Sequence, residues 1–220
     1  MNYFRKEAKM RIKKEIYDIS VPLQSNLVSW PGEEGFTRKE KRDGGITIST
    51  IHCGSHTGTH VDAPKHFIIN GSSVDKLPLS SLVGECYVAD INHNGPTITA
   101  RDIFLIPLNI ERVLFKTKNT ERGLLSKMGF TTDYISLDKS AVQTLIKRGI
   151  KLVGVDYLSV EAKKSPGYPV HKTLLNAGII IIEGCSMKDI KPGKYELIAL
   201  PLRIKGGDGS PARVILRKTS

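Results

Sequence analysis

Cysteine is scarce, and no two cysteines are spaced for a metal ribbon or a redox pair. Cys53, Cys86 and Cys185 are the only three and lie far apart, so the Cys-x-x-Cys spacing of such sites is absent. Reduced thiols are expected, although Cys53 and Cys185 stand close in sequence to candidate metal ligands. Long apolar runs are also missing. The longest, AGIIII at Ala177–Ile182, falls far short of the roughly 20 residues that cross a bilayer. The first twenty residues are basic but lack the apolar stretch and small-residue cleavage site of a secretory signal. A cytoplasmic protein with no membrane partner is expected. Acidic residues are the minority sign, 22 against 33 basic, for a net charge of +11. Such a surplus can serve nucleic acid. Here the basic residues are interspersed with Glu and carry no aromatic-basic signature, so a solvated basic surface or an anionic substrate accounts for them, and no nucleic-acid partner is expected.

What is present suits one packed domain. The chain has 220 residues, 40% hydrophobic and 25% charged, ordinary values for a globular protein that buries a single core. Residues 1–15 read as a basic arm or short amphipathic helix, and 16–220 as the domain. Strands are expected at Ile46–Cys53, Gly84–Ile91, Arg112–Thr117, Lys151–Asp156, Ile179–Gly184 and Tyr195–Ile204, from β-branched and apolar content. Helices are expected at Asp138–Gly149 and Pro169–Gly178, each closed by glycine and each feeding an apolar strand. That alternation, behind a strand-rich first half, argues for an α/β domain.

Histidine is also sparse, six in all, yet SHTGTHVDAPKHF (Ser55–Phe67) holds His56, His60 and His66 together with Asp62. Gly58, Pro64 and the β-branched Thr57, Thr59 and Val61 disfavour a helix here. A turn leading into an extended segment puts His60 and Asp62 on one side, and a glycine turn can fold His56 back to them. Two imidazoles and a carboxylate with open positions form the ligand set of a catalytic rather than a structural zinc site. His66 is either a fourth ligand or an uncoordinated acid/base, since a free imidazole titrates near neutral pH.

HTGTHVDAPKH resembles the His-x-Gly-Thr-His-x-Asp-x-Pro-x-His signature of the cyclase family of metal-dependent hydrolases, which includes bacterial kynurenine formamidases and isatin hydrolases. DISVPL, WPG, GVDYLSVE, HKTLLNAGIIIIEG and YELIALPLRIKGGDGSPARVILR extend the likeness over nearly the whole chain. The resemblance implies a single swivelling β/β/α-type domain with a strand-rich core and flanking helices. It implies that His56, His60 and Asp62 bind one metal ion, and that Asp62 bridges to a second held by His171 and Glu183. His66 becomes the proton donor and acceptor, and Trp30 part of the substrate pocket. On their own residues' evidence, His171 opens a predicted helix, and Glu183 ends an apolar strand, where a carboxylate is costly unless paired or metal-bound. Zinc is the expected metal, one or two ions per subunit, with manganese as the alternative because carboxylates are hard donors. The implied activity is hydrolysis of an amide in a small-molecule substrate, arylformamidase-like, on a carbon–nitrogen bond other than a peptide bond. Alternatives are a cyclic amide or lactone, as in isatin hydrolases, or a basic binding protein with a structural metal. A homodimer or homotetramer is implied. Lys65 stands where those formamidases more often have an apolar residue, and LFKTKNTERG departs from their usual Arg-Thr-Gly form.

Overall fold

The uninterrupted apolar runs of the second half become neighbouring strands of one sheet, as befits strands covered on both faces. In the computed structural model, which describes residues 15–219, the strands are β1 (Ile16–Asp18), β2 (Thr37–Asp43), β3 (Ile46–His52), β4 (His60–Asp62), β5 (Val83–Ile91), β6 (Thr97–Ile98), β7 (Arg112–Thr117), β8 (Ser136–Leu137), β9 (Leu152–Val155), β10 (Ile180–Glu183), β11 (Gly193–Pro201) and β12 (Gly209–Lys218). The helices are α1 (Leu79–Leu82), α2 (Ala100–Phe104), α3 (Lys118–Glu121), α4 (Lys139–Lys147) and α5 (Pro169–Asn176). The basic arm expected over residues 1–15 lies, except for Glu15, outside the described residues.

β5, β7, β9 and β10 run parallel, and helices occupy the crossovers between them, as parallel pairing requires. β11, β12 and β4 complete the sheet antiparallel. Because β12 pairs with β11 along one edge and with β4 along part of the other, the order β12-β11-β5-β7-β9-β10-β4 closes into a barrel, with β1 on the remaining length of β12. Alternation then sorts the strand residues. Leu114, Leu152, Ile180 and Ile182 join Val61, Leu197 and Val214 in one core. Val113, Phe115, Val153 and Ile181 pack outward with Ile103, Leu145 and Leu174 of the helices.

The expected strands and helices are all found, with small shifts of boundary. Ile46–Cys53 is β3, but it pairs only with β2, in a hairpin whose residues are all exposed. β11 ends at Pro201 rather than Ile204. The departing segment LFKTKNTERG has a structural use: Thr117, Asn119 and Thr120 all donate to the buried carboxylate of Asp156. Asn119 also bonds both backbone groups of Ile135, so β7, α3 and the end of β9 are tied at one point.

Candidate metal centre and active site

β4 is only three residues long, but it is held on both edges. Its register places His60 opposite Glu183 and Asp62 opposite Ile181 on β10, with Pro211 and Gly209 of β12 on the other side. Val61 fills the barrel core, so His60 and Asp62 face outward, on the side shared with Glu183. Before β4, Gly58 turns at φ +71, and a Cβ there would lie 2.7 Å from Leu23 Cδ2; this turn brings His56 back, its Nδ1 2.9 Å from Asp62 Oδ1. After β4, Pro64–His66 forms a 3₁₀ turn that stacks His66 on His56 with ring centroids 3.9 Å apart.

His171, the third residue of α5, reaches the same place from above. Its Nε2 is 3.2 Å from Glu183 Oε1 and 4.0 Å from Asp62 Oδ2. His60 Nε2 lies 3.4 Å from both Asp62 Oδ1 and Glu183 Oε2, while its Nδ1 donates to the Gly58 carbonyl at 2.9 Å. The segment after β9 closes the side: Val160 N–H donates to Glu183 Oε1 at 2.7 Å.

His56, His60, His66, His171 and Glu183, with Asp62 buried among them, form the floor of a cavity of about 280 Å³, slightly below the roughly 300–1,000 Å³ of sites for drug-sized ligands. A small, compact substrate fits it. Trp30, Phe67, Leu158 and Tyr168 supply apolar wall, and Glu33 and Ser159 polar wall. The Trp30 ring is braced edge-on by Phe130, with centroids 5.0 Å apart, and Lys163 Nζ sits 4.3 Å above it. Lys65 is not in this wall; its ammonium donates to the Gly206 carbonyl at 2.6 Å. The residue that broke the sequence pattern thus braces a loop.

The site holds its protons unequally. Burial opposes charge on every imidazole here, yet bonds to Asp62 and Glu183 outweigh it at His60, which is held well above its ordinary value. Bonds to Glu161 and Glu183 do the same for His171, raised to about 10. At His66 burial prevails over the attraction of Asp62, and the imidazole is pushed down, towards neutrality.

The Cyclase family model, described as "Putative cyclase", matches residues 17–162. The chain belongs to the cyclase family. Among curated relatives, the kynurenine formamidase of Salinibacter ruber is 36% identical over 92% of this chain and 97% of its own. A predicted metal-dependent hydrolase from Bacillus stearothermophilus superposes with a TM-score of 0.81 at 36% identity, covering 94% of this chain and 99% of that one. Isatin hydrolase A from Labrenzia aggregata, bound to benzyl benzoate, superposes with a TM-score of 0.79 at 27% identity, covering 94% of each chain.

This cyclase-family protein is a metal-dependent hydrolase, and its own atoms fit a metal. Two sets of ligand atoms lie within 4.8 Å of one another: His56, Asp62 and His66, and His60, Asp62 and Glu183. Asp62 belongs to both. Its Oδ2 is buried with no hydrogen-bond partner among the described residues, an arrangement a cation would relieve. Asp62 and Glu183 are 1% and 4% exposed, and two carboxylates so close and so dry need positive charge between them.

All six residues singled out by signature and resemblance as ligands or proton donor thus meet at one floor, and Trp30 stands in the wall above. Sequence reasoning did not find Glu161, which hydrogen-bonds His171, or Asp208, whose Oδ2 is 2.9 Å from His56 Nε2 and 3.6 Å from His66 Nδ1. It did not find Glu33 or Phe67 either. Glu161 and Asp208 lie within family-like stretches, GVDYLSVE and GGDG, and a carboxylate at the end of an apolar run or between glycines was the available signal.

Proposed function

We propose that the protein hydrolyses a small aryl formamide of the N-formylkynurenine type, with His56, His60, Asp62, His171 and Glu183 as metal ligands and His66 as the general acid/base. The observation that carries this reading is the position of His66, beside the shared carboxylate Asp62 yet kept towards its neutral form, at the boundary between ligand floor and cavity. A divalent ion bound at that floor supplies a Lewis acid for the amide carbonyl and lowers the pKa of water to near 7. His66 accepts a proton as water attacks and returns it to the departing nitrogen. Asp208, 3.6 Å from His66 Nδ1, stabilises the ring while it is charged. Trp30 and Phe67 provide faces for a planar ring, and the ligand floor lies at the cavity's depth, where the formyl carbon must reach.

The five ligands would hold one or two ions per subunit, with Asp62 placed to serve both, and zinc suits mixed imidazole and carboxylate donors, with manganese as the alternative. The working form is a cytoplasmic homodimer or homotetramer acting on a small molecule. No helix among the described residues is long and apolar enough to cross a membrane.

Elemental analysis of the purified protein, followed by assay of the stripped and reloaded enzyme on formanilides, N-formylkynurenine, an isatin-like lactam and a lactone, tests the reading. Metal-dependent release of formate is the expected result. Turnover of the lactam alone would replace the substrate class with the cyclic amide of the isatin hydrolases. A tightly bound metal with no hydrolysis of any of these would favour a structural site.

A further inference from the structure

We propose that Glu161 is a positioning residue for this centre: its one buried carboxylate fixes both the backbone and the imidazole of His171. This rests on the reading of His171 as a metal ligand. Glu161 is 2% exposed. Its Oε2 accepts from His171 N–H at 3.2 Å and from His171 Nδ1 at 2.9 Å. Its Oε1 accepts from Val170 N–H at 3.1 Å and from Ser165 Oγ at 2.7 Å. All four positions of the carboxylate are taken by donors. The residue before α5, Tyr168, is left-handed at φ 55 and gives the helix no side-chain cap, so Glu161 caps α5 from outside it.

A cap alone would not need the imidazole. An ionised carboxylate can only accept, so Nδ1 of His171 must carry its proton when the ring is neutral, and the lone pair is left on Nε2. Nε2 is the atom that points at Glu183 and Asp62. Glu161 therefore selects the tautomer in which His171 can bind a cation at the floor, and anchors the same residue's backbone with the same oxygen. Partners of this kind behind metal-binding histidines typically contribute about 10–100-fold in metal affinity.

Glu161→Gln isolates the effect with nearly unchanged volume. Whichever way the amide turns, its NH₂ meets a backbone N–H, of Val170 or of His171, and in the second case it also faces Nδ1 and favours the wrong tautomer. The test is competition titration of metal-free wild type, Glu161→Gln and Ser165→Ala with zinc against a chelator, alongside thermal melting of the metal-free proteins and imidazole ¹⁵N spectra of the zinc-saturated ones, in which the His171 ring is deprotonated at one nitrogen. The expected result for Glu161→Gln is about 10–100-fold weaker zinc binding, with the His171 nitrogen signals moved from the Nδ1–H pattern. A lower melting temperature with wild-type affinity and unchanged His171 signals would reduce Glu161 to a helix cap and overturn the proposal. If Glu161→Gln does not fold, Ser165→Ala, which removes only one bond to Oε1, decides. Severalfold weaker zinc binding at unchanged melting temperature supports the proposal, and wild-type affinity overturns it. Wild-type protein that binds no zinc or manganese would instead refute the ligand role of His171 under the proposed function.

Discussion

At the scale of single residues, the four imidazoles of the site differ in what their neighbours do to the proton. His56, His60 and His171 each touch at least two acidic groups, which push their pKa values up against the opposing effect of burial. His66 touches none closer than 3.6 Å, retains 27% of its side-chain exposure and is pushed towards neutrality by its surroundings. That difference supports the proposed division between proton carrier and ligands, and His66 also lies within ligand distance of His56 and Asp62. His66→Ala is therefore expected to lower kcat by about 10²–10⁴-fold, the usual contribution of a general acid/base, while elemental analysis finds the wild-type metal-to-protein ratio. Metal lost in proportion to activity would make His66 a ligand. His56, His60, Asp62 and His66 were legible in the sequence because they share one short stretch, where rare residue types at short spacing stand out. Asp208 was not, because it acts on histidines far along the chain, and Glu161, although only ten residues before His171, is an isolated acidic residue in a loop, which looks like solvated surface.

At the scale of elements, the site depends on strand register more than on any helix. β4 contributes His60 and Asp62 because it is pinned between β10 and β12, and a slip of one residue would send both into the barrel core and turn Val61 outward. Gly209, opposite Asp62 on β12, is where this packing is tightest. A Cβ added there would lie 2.6 Å from His56 Cε1 and 2.8 Å from the Val61 carbonyl oxygen. The carbonyl belongs to the β4 backbone and cannot yield without moving the strand, so the imidazole of His56 must give way. Gly209→Ala should leave the circular dichroism spectrum intact, lower stability by about 1–3 kcal/mol as overpacking does, and reduce bound metal together with activity. Full metal occupancy in this variant would show that His56 is free to shift without loss, and so is dispensable as a ligand. The parallel strands were readable because both faces are buried and their sequences are continuously apolar. β12 was missed because it mixes Arg213, Arg217 and Lys218 with inward Val214 and Leu216, whereas the extended segment at His60–Asp62 was read from its glycine turn and β-branched residues and is β4.

At the scale of the whole molecule, the hairpin of β2 and β3 is out of keeping with the rest. All its residues are exposed, and Ile46, Ile48 and Ile51 keep 65%, 53% and 59% of their surface in solvent. A lone two-stranded sheet is marginal in water, and apolar side chains grouped on one unpartnered element mark a contact surface. β3 ends at His52, four residues before His56, so whatever steadies this hairpin also steadies the loop that carries His56. In the proposed homodimer or homotetramer, a second copy of the chain would be the partner for this surface, since a symmetric pair would cover Ile46 and Ile48, which share one face of β3, on both hairpins at once. The double substitution Ile46→Asp with Ile48→Asp leaves the barrel and its cores untouched. It should therefore shift the mass seen by light scattering from multimer to monomer and, by loosening the segment before His56, weaken metal retention. A multimer unaffected by the two charges would place the subunit contact elsewhere, and the exposed hairpin would then be a feature of the isolated subunit with no part in assembly.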